Sequence, residues 1–121
     1  MLINLSNHPK DKWQSRQLET ALKKYKSIVD LPFPIISPKA SSHQVKRKAE
    51  SYLKKCLSLL TKSPDKFNAV HLMGEFTFVY NLVNLLKKKN ITVIVSTTDR
   101  LVEEKDGKKI VTFNFIKFRE Y

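Results

Sequence analysis

The sequence predicts an α/β protein: a small doubly wound sheet, mostly parallel in the order 2-1-3-4-5, with a C-terminal antiparallel hairpin strand. Three observations lead there. Short apolar runs with strand character alternate with amphipathic helical patterns, which places helices on the faces of a parallel sheet. The last two strand-like runs are joined by Asp106-Gly107, the residue pair that a two-residue hairpin turn favours. Right-handed crossovers then leave few arrangements, of which 2-1-3-4-5 is the most economical. The 121 residues hold no internal repeat, low-complexity tract or linker, so residues 1–121 read as one domain.

Each element has its own signal. Leu2–Ser6 is a short apolar strand that runs into "SNHP". Asp11, with Gln14 three residues on, is a candidate N-cap for a helix carrying Leu18, Ala21, Leu22 and Tyr25 at helical spacing. Ser27–Leu31 is a second strand. It leads to "PFPIISPKASS", where Pro32, Pro34 and Pro38 exclude helix. Ser41 and Gln44 form a capping-box pattern for a helix whose buried face is Val45, Ala49, Tyr52, Leu53, Cys56, Leu57 and Leu60. Phe67–Met73 is a third strand and Glu75–Lys89 a third helix. Ile91–Ser96 is a fourth strand rich in β-branched residues, and Lys108–Phe118 returns beside it.

Composition narrows the function. Twenty-three Lys and Arg against eleven Asp and Glu give a net charge of +12, a potential that favours anionic partners. Much of it has a local use. Lys23, Lys24 and Lys26 close the first helix and Lys87, Lys88 and Lys89 the third, where cations meet the negative end of the helix dipole. No motif for sequence-specific duplex DNA binding is present. The single cysteine, Cys56, lies on an apolar helix face, so packing is its expected role. No apolar stretch has the length of a membrane span and the N-terminal residues lack the features of a leader, so a cytoplasmic location is expected.

In the order 2-1-3-4-5 the chain reverses direction between strands 1 and 3, and ligands of such sheets bind there, beyond the carboxyl ends of the strands. The crevice then lies between "SNHP" and "MGEF". Gly74 either lets an anion approach the amides of the next helical turn or permits tight helix–strand packing. Glu75 is a first-turn residue or, more sharply, an acceptor for ribose hydroxyls or a general acid or base. His8, beside Ser6 and Asn7, is a candidate for proton transfer or phosphate contact. His71, inside strand 3, reads as a hydrogen-bonded core histidine, and His43 has no assigned role. The end of strand 4, "STTDR", offers Thr97 and Thr98 for phosphate oxygens and Arg100 as a fork. Phe33 either stacks on a base or anchors its loop. No serine–histidine–aspartate spacing, metal-binding helix motif or full dinucleotide fingerprint is present, so neither a metal nor a cofactor is expected.

The polar loop Ser6-Asn7-His8, the turn Met73-Gly74-Glu75-Phe76-Thr77 and the hydroxyl-rich stretch closing on Arg100 together resemble the CRISPR-associated Rossmann-fold (CARF) proteins, especially the small stand-alone ones. Typical members carry a Thr-Gly-Gly-Thr-Lys-like turn where this chain reads "MGEFT". The resemblance implies a Rossmann-like fold and binding of a cyclic oligoadenylate, which some members cleave as ring nucleases. Cleavage can proceed by in-line attack of a ribose 2′-oxygen on its own phosphate, without a metal, so the protein supplies positioning, charge and proton transfer. On that reading His8 and Glu75 are the catalytic candidates. Ser6, Asn7, Phe33, Gly74, Thr77, Thr97, Thr98 and Arg100 are the ligand-binding ones. The third helix is apolar nearly all round, which suggests burial on two sides: either a homodimer with two crevices around one symmetric ligand, or a thick core beneath the hairpin. The alternative is a non-enzymatic nucleotide sensor or sponge, or a module that joins proteins through its hairpin.

Overall fold

The computed structural model describes all 121 residues. The elements are β1 (Leu2–Leu5), a 3-10 turn (Lys10–Lys12), α1 (Ser15–Lys24), β2 (Ile28–Asp30), α2 (Ser42–Thr61), β3 (Ala69–Leu72), α3 (Phe76–Lys88), β4 (Thr92–Lys105) and β5 (Lys108–Glu120). They form one five-stranded sheet in the order β2-β1-β3-β4-β5. The first four strands are parallel and β5 is antiparallel to β4. The predicted order and class are therefore those observed.

β1 and β3 are buried along their whole length, as central strands covered on both faces must be. Their side chains alternate between two cores. Ile3, Leu5, Val70, Leu72 and Val93 face α2 and α3, where Val45, Ala49, Cys56, Phe78, Leu82 and Leu86 complete the larger cluster. Leu2, Ala69 and Ile94 face α1 and meet Trp13, Ala21, Tyr25 and Ile28. Burial pushes the Cys56 thiol up to about 12, so it packs as a small apolar group.

Two local readings hold in atomic detail. Ser41 Oγ accepts from the Gln44 amide while Gln44 Oε1 accepts from the Ser41 amide, a complete capping box for α2. Asp106 and Gly107 take φ of 54° and 73°, the double left-handed turn that lets β4 and β5 close without splaying. The arm so formed runs past the parallel strands. A bulge near its base, between Thr97 and Thr98, leaves Ile116 unpaired.

Three readings are corrected. Asp11 is not a helix cap. It lies in the 3-10 turn, and Trp13 and Gln14 stay extended, so that the indole is buried before α1 begins at Ser15. Leu22 is exposed rather than part of the α1 core face. The second apolar side of α3 is covered within the same chain by α2: Leu82 is fully buried and Leu85 packs against the larger core. Two aromatic residues of α3 are left uncovered, Phe76 at 90% and Tyr80 at 71% exposure. No helix is long and apolar enough to cross a membrane.

Candidate functional site

The carboxyl ends of β1, β3 and β4 open into a cavity of 490 Å³ on the α1 side of the sheet. Ser6 and His8 line it from the loop after β1, Lys12 from the 3-10 turn, Trp13 and Gln14 from the extended residues before α1, and Gln17 from the first turns of α1. β3 contributes His71 and Met73, β4 contributes Ser96 and Thr98, and β5 contributes Phe113 and Phe115. It therefore lies at the predicted reversal point, widened toward the hairpin.

Gln14 fixes this wall. Its Nε2 donates to the Phe113 carbonyl at 3.0 Å and its Oε1 accepts from the Phe115 amide at 2.8 Å, as a neighbouring strand would. The base of the arm is thus tied to the start of α1. Trp13 lies behind it, edge-on to His71 with ring centroids 5.1 Å apart. Phe118 lies 5.6 Å from the same imidazole.

Beneath the cavity a polar chain crosses four strands. Asn4 Nδ2 donates to Asp30 Oδ1 and to the His8 carbonyl, both at 2.8 Å. Both partners can only accept, so the orientation of the amide is fixed. Asn4 Oδ1 then faces His71 Nδ1 at 3.0 Å and also accepts from Ser6. Nδ1 must carry the imidazole proton, which leaves Nε2 an acceptor. Ser96 Oγ, 2.7 Å from Nε2, is the donor, and it accepts in turn from Gln17 Nε2 at 3.1 Å. Every buried side-chain polar atom has a partner. His71 is 1% exposed, and burial pulls its pKa down to about 4, so the ring is neutral at neutral pH.

The candidate residues divide among several places. Ser6, His8 and Thr98 line the large cavity. Ser6 also borders a second cavity of 280 Å³ with Asn7 and Phe33, where Asp30 forms part of the wall. The side chain of His8 is exposed, while its carbonyl also accepts from Trp13 Nε1 at 3.0 Å. Arg100 stands exposed on the arm, directly opposite Phe113 and so on the same face as that cavity-lining ring. Thr97 is spent on the bulge, where its hydroxyl donates to the Lys117 carbonyl at 3.1 Å.

Gly74, Glu75 and Thr77 lie toward α2 and α3 instead. A Cβ on Gly74 would come within 2.2 Å of Phe33 Cζ, so the glycine makes room for a ring. Phe33 itself packs edge-on against Phe78, 5.1 Å between centroids, and anchors the Pro-rich loop. Glu75 caps α3 by accepting from the Thr77 amide and hydroxyl. The Thr77 hydroxyl first, and then the Thr77 and Phe78 amides, hold its carboxyl below the usual range. It is therefore an ionised cap at neutral pH. Thr77 borders a separate cleft with Phe76 and Tyr80.

Sequence reading gave no site role to Asn4, Trp13, Gln14 or Gln17, took Ser96 only as the first residue of "STTDR", and placed His71 in the core without linking it to the cavity. One signal was present: Asn4 and His71 are single polar residues in otherwise apolar, buried strands, and Ser96 is a half-buried polar residue directly after an apolar run.

A sequence model of the family described as "Uncharacterized protein MJ1673 family" matches residues 1–119. Over 76 residues the chain is 36% identical to the uncharacterized protein MJ1673 of Methanocaldococcus jannaschii, covering 60% of this chain and 59% of that protein. The match thus spans about three-fifths of the length of that curated relative. No solved structure matches.

Proposed function

The chain belongs to the MJ1673 family, and we propose that it binds a cyclic oligoadenylate in the carboxyl-edge cavity and cleaves it, without a metal, through attack by a ribose 2′-oxygen. The observation that carries this reading is the make-up of the cavity. Phe113, which is 57% exposed, offers apolar ring surface for a base, while Lys12 and His8 offer nitrogen groups for phosphate at the same opening. No carboxylate lines it to repel an anion. The net charge of +12 adds long-range attraction.

A volume of 490 Å³ suits a drug-sized ligand, about one or two nucleotides, rather than a whole ring. The remainder of the ring extends along the arm toward Arg100 or is held by a second copy of the chain. Homodimerisation is part of the proposal, and the exposed Phe76 and Tyr80 are the surface that supports it. His8, exposed at the cavity mouth, supplies proton transfer or phosphate contact.

A second reading, a sponge that binds and returns the ring intact, is favoured by one observation: the other catalytic candidate, Glu75, is spent on capping α3. Calorimetry and chromatography with cyclic tetra- and hexa-adenylate separate the two. Binding with cleavage that persists in EDTA, slowed about a hundredfold by His8→Ala at little cost in affinity, is the expected result. Intact ring after prolonged incubation leaves the sponge, and no binding of either ring removes the ligand class.

A further inference from the structure

The hydrogen bonds beneath the cavity orient one hydroxyl. Ser96 Oγ has one proton and two lone pairs. Its proton points to His71 Nε2 and one lone pair meets Gln17, which leaves one lone pair for the cavity it lines. His71 borders the cavity but is only 1% exposed and its Nε2 is taken by Ser96 Oγ, so Ser96 is the group through which it acts on the cavity. Asn4 holds the imidazole in the tautomer that can accept, and the Asp30 carboxylate holds Asn4. A hydroxyl backed by an oriented imidazole is the arrangement of general-base and nucleophilic sites.

We propose that Ser96, backed by His71, is the proton-accepting group of the reaction in this cavity. The inference rests on the nucleotide-cleavage reading above. A ribose 2′-hydroxyl passes its proton to Ser96 Oγ as the proton of Ser96 moves to His71 Nε2. The 2′-oxygen forms a bond to phosphorus, the bond from phosphorus to the 5′-oxygen breaks, and the departing oxygen takes a proton from water. The products are a 2′,3′-cyclic phosphate and a 5′-hydroxyl. His71 then returns its proton through Ser96 to the hydroxide left by that water. Ser96 is the catalytic residue here, and Asn4 and His71 act through it.

Two measurements on the full chain test this. In the first, Ser96→Ala is incubated with cyclic tetra- and hexa-adenylate. Cleavage should fall about a hundredfold or more while affinity by calorimetry stays within about twofold. In the second, a fluorophosphonate probe is followed by mass spectrometry. Attack by Ser96 Oγ forms an oxygen–phosphorus bond, expels fluoride and sends the proton to His71. The adduct should map to Ser96 and be absent from Ser96→Ala.

The pH profile of labelling distinguishes a working imidazole from a structural one. The charged or titratable groups near His71 are Asp30 behind Asn4 and, at the cavity, His8 and Lys12; its contacts Trp13 before α1, Ser96 on β4 and Phe118 on β5 are uncharged. Labelling should hold as pH falls and drop only as His71 itself takes a proton, near 4. Labelling without ring cleavage keeps the Ser96–His71 pair and removes the nucleotide reading. Wild-type protein that is neither labelled nor active, or Ser96→Ala that cleaves at the wild-type rate, overturns the proposal.

Discussion

Acid should destabilise this protein through His71 in particular. His71 sits fully buried between β1, β4 and the rings of Trp13 and Phe118, and its pKa falls from an ordinary 6.5 to about 4. Between those values the unfolded chain binds a proton that the native chain refuses. Stability is therefore full above about pH 6.5, declines as pH falls, and stops declining once the folded imidazole also protonates near 4. A pKa gap of about 2.5 corresponds to about 3 kcal/mol, so roughly 2–3 kcal/mol should be lost between about pH 7.5 and pH 4.5. That is a large part of the stability of a small domain. Urea melts of wild type and His71→Gln at the two pH values isolate the effect, because glutamine can occupy the same polar pocket without titrating. Glu75, whose carboxyl is also shifted, is common to both proteins and cancels in the difference. The wild type should lose about 2–3 kcal/mol more than the variant. Parallel losses would refute the reasoning. Should the variant fail to fold, an NMR titration of the wild-type imidazole answers the same question: a ring half-protonated near 6.5 would show that burial does not control it.

Two further predictions concern packing. Gly74→Ala places a methyl group 2.2 Å from the Phe33 ring, so the ring must leave Phe78 or the turn must shift, at a cost of about 1–3 kcal/mol in chemical denaturation; a variant as stable as wild type would show that the ring yields freely. Leu82→Glu puts an unpaired carboxylate in the core and should unfold the protein, whereas Tyr80→Glu, at an exposed site, should stay within about 0.5 kcal/mol of wild type. Light scattering of Tyr80→Glu then tests assembly, since a homodimer built on this face should become monomeric.

The fold was legible because its signals are local. A capping box, a two-residue turn and the alternation of strand and helix patterns each declare themselves within about a dozen residues, and the handedness of crossovers supplies the rest. The apolar circumference of α3 was visible too, but not what covers it. A helix face does not record whether α2 or a second chain lies against it, and here α2 does. Strand order pointed to the carboxyl edge of the sheet, and Ser6, His8 and Thr98, chosen on that ground, line the cavity there. Residue type was a poorer guide than position. Gly74 and Glu75 stand at a strand-to-helix junction, where an anion site and a well-packed, well-capped helix start use the same residues. The ring of Phe33 and the hydroxyl of Thr77 decide between them.

The polar chain was hidden for a different reason. Asn4, His71 and Ser96 lie far apart in sequence, and no spacing rule joins them. Sheet register does. Asn4 stands beside His71 in the β1–β3 pairing, and His71 stands beside Ile94 in the β3–β4 pairing, two residues before Ser96 on the same face of β4. The strand order therefore implies a row of polar side chains crossing the sheet at its carboxyl edge, one from each central strand. A lone polar residue inside an apolar strand has to find a partner when buried. Three on one face of adjacent strands find each other. Apolar residues would fill the same three sites without that requirement. Proton transfer to Ser96 in the cavity, as proposed, gives the row a use that an apolar filling of the same sites could not serve.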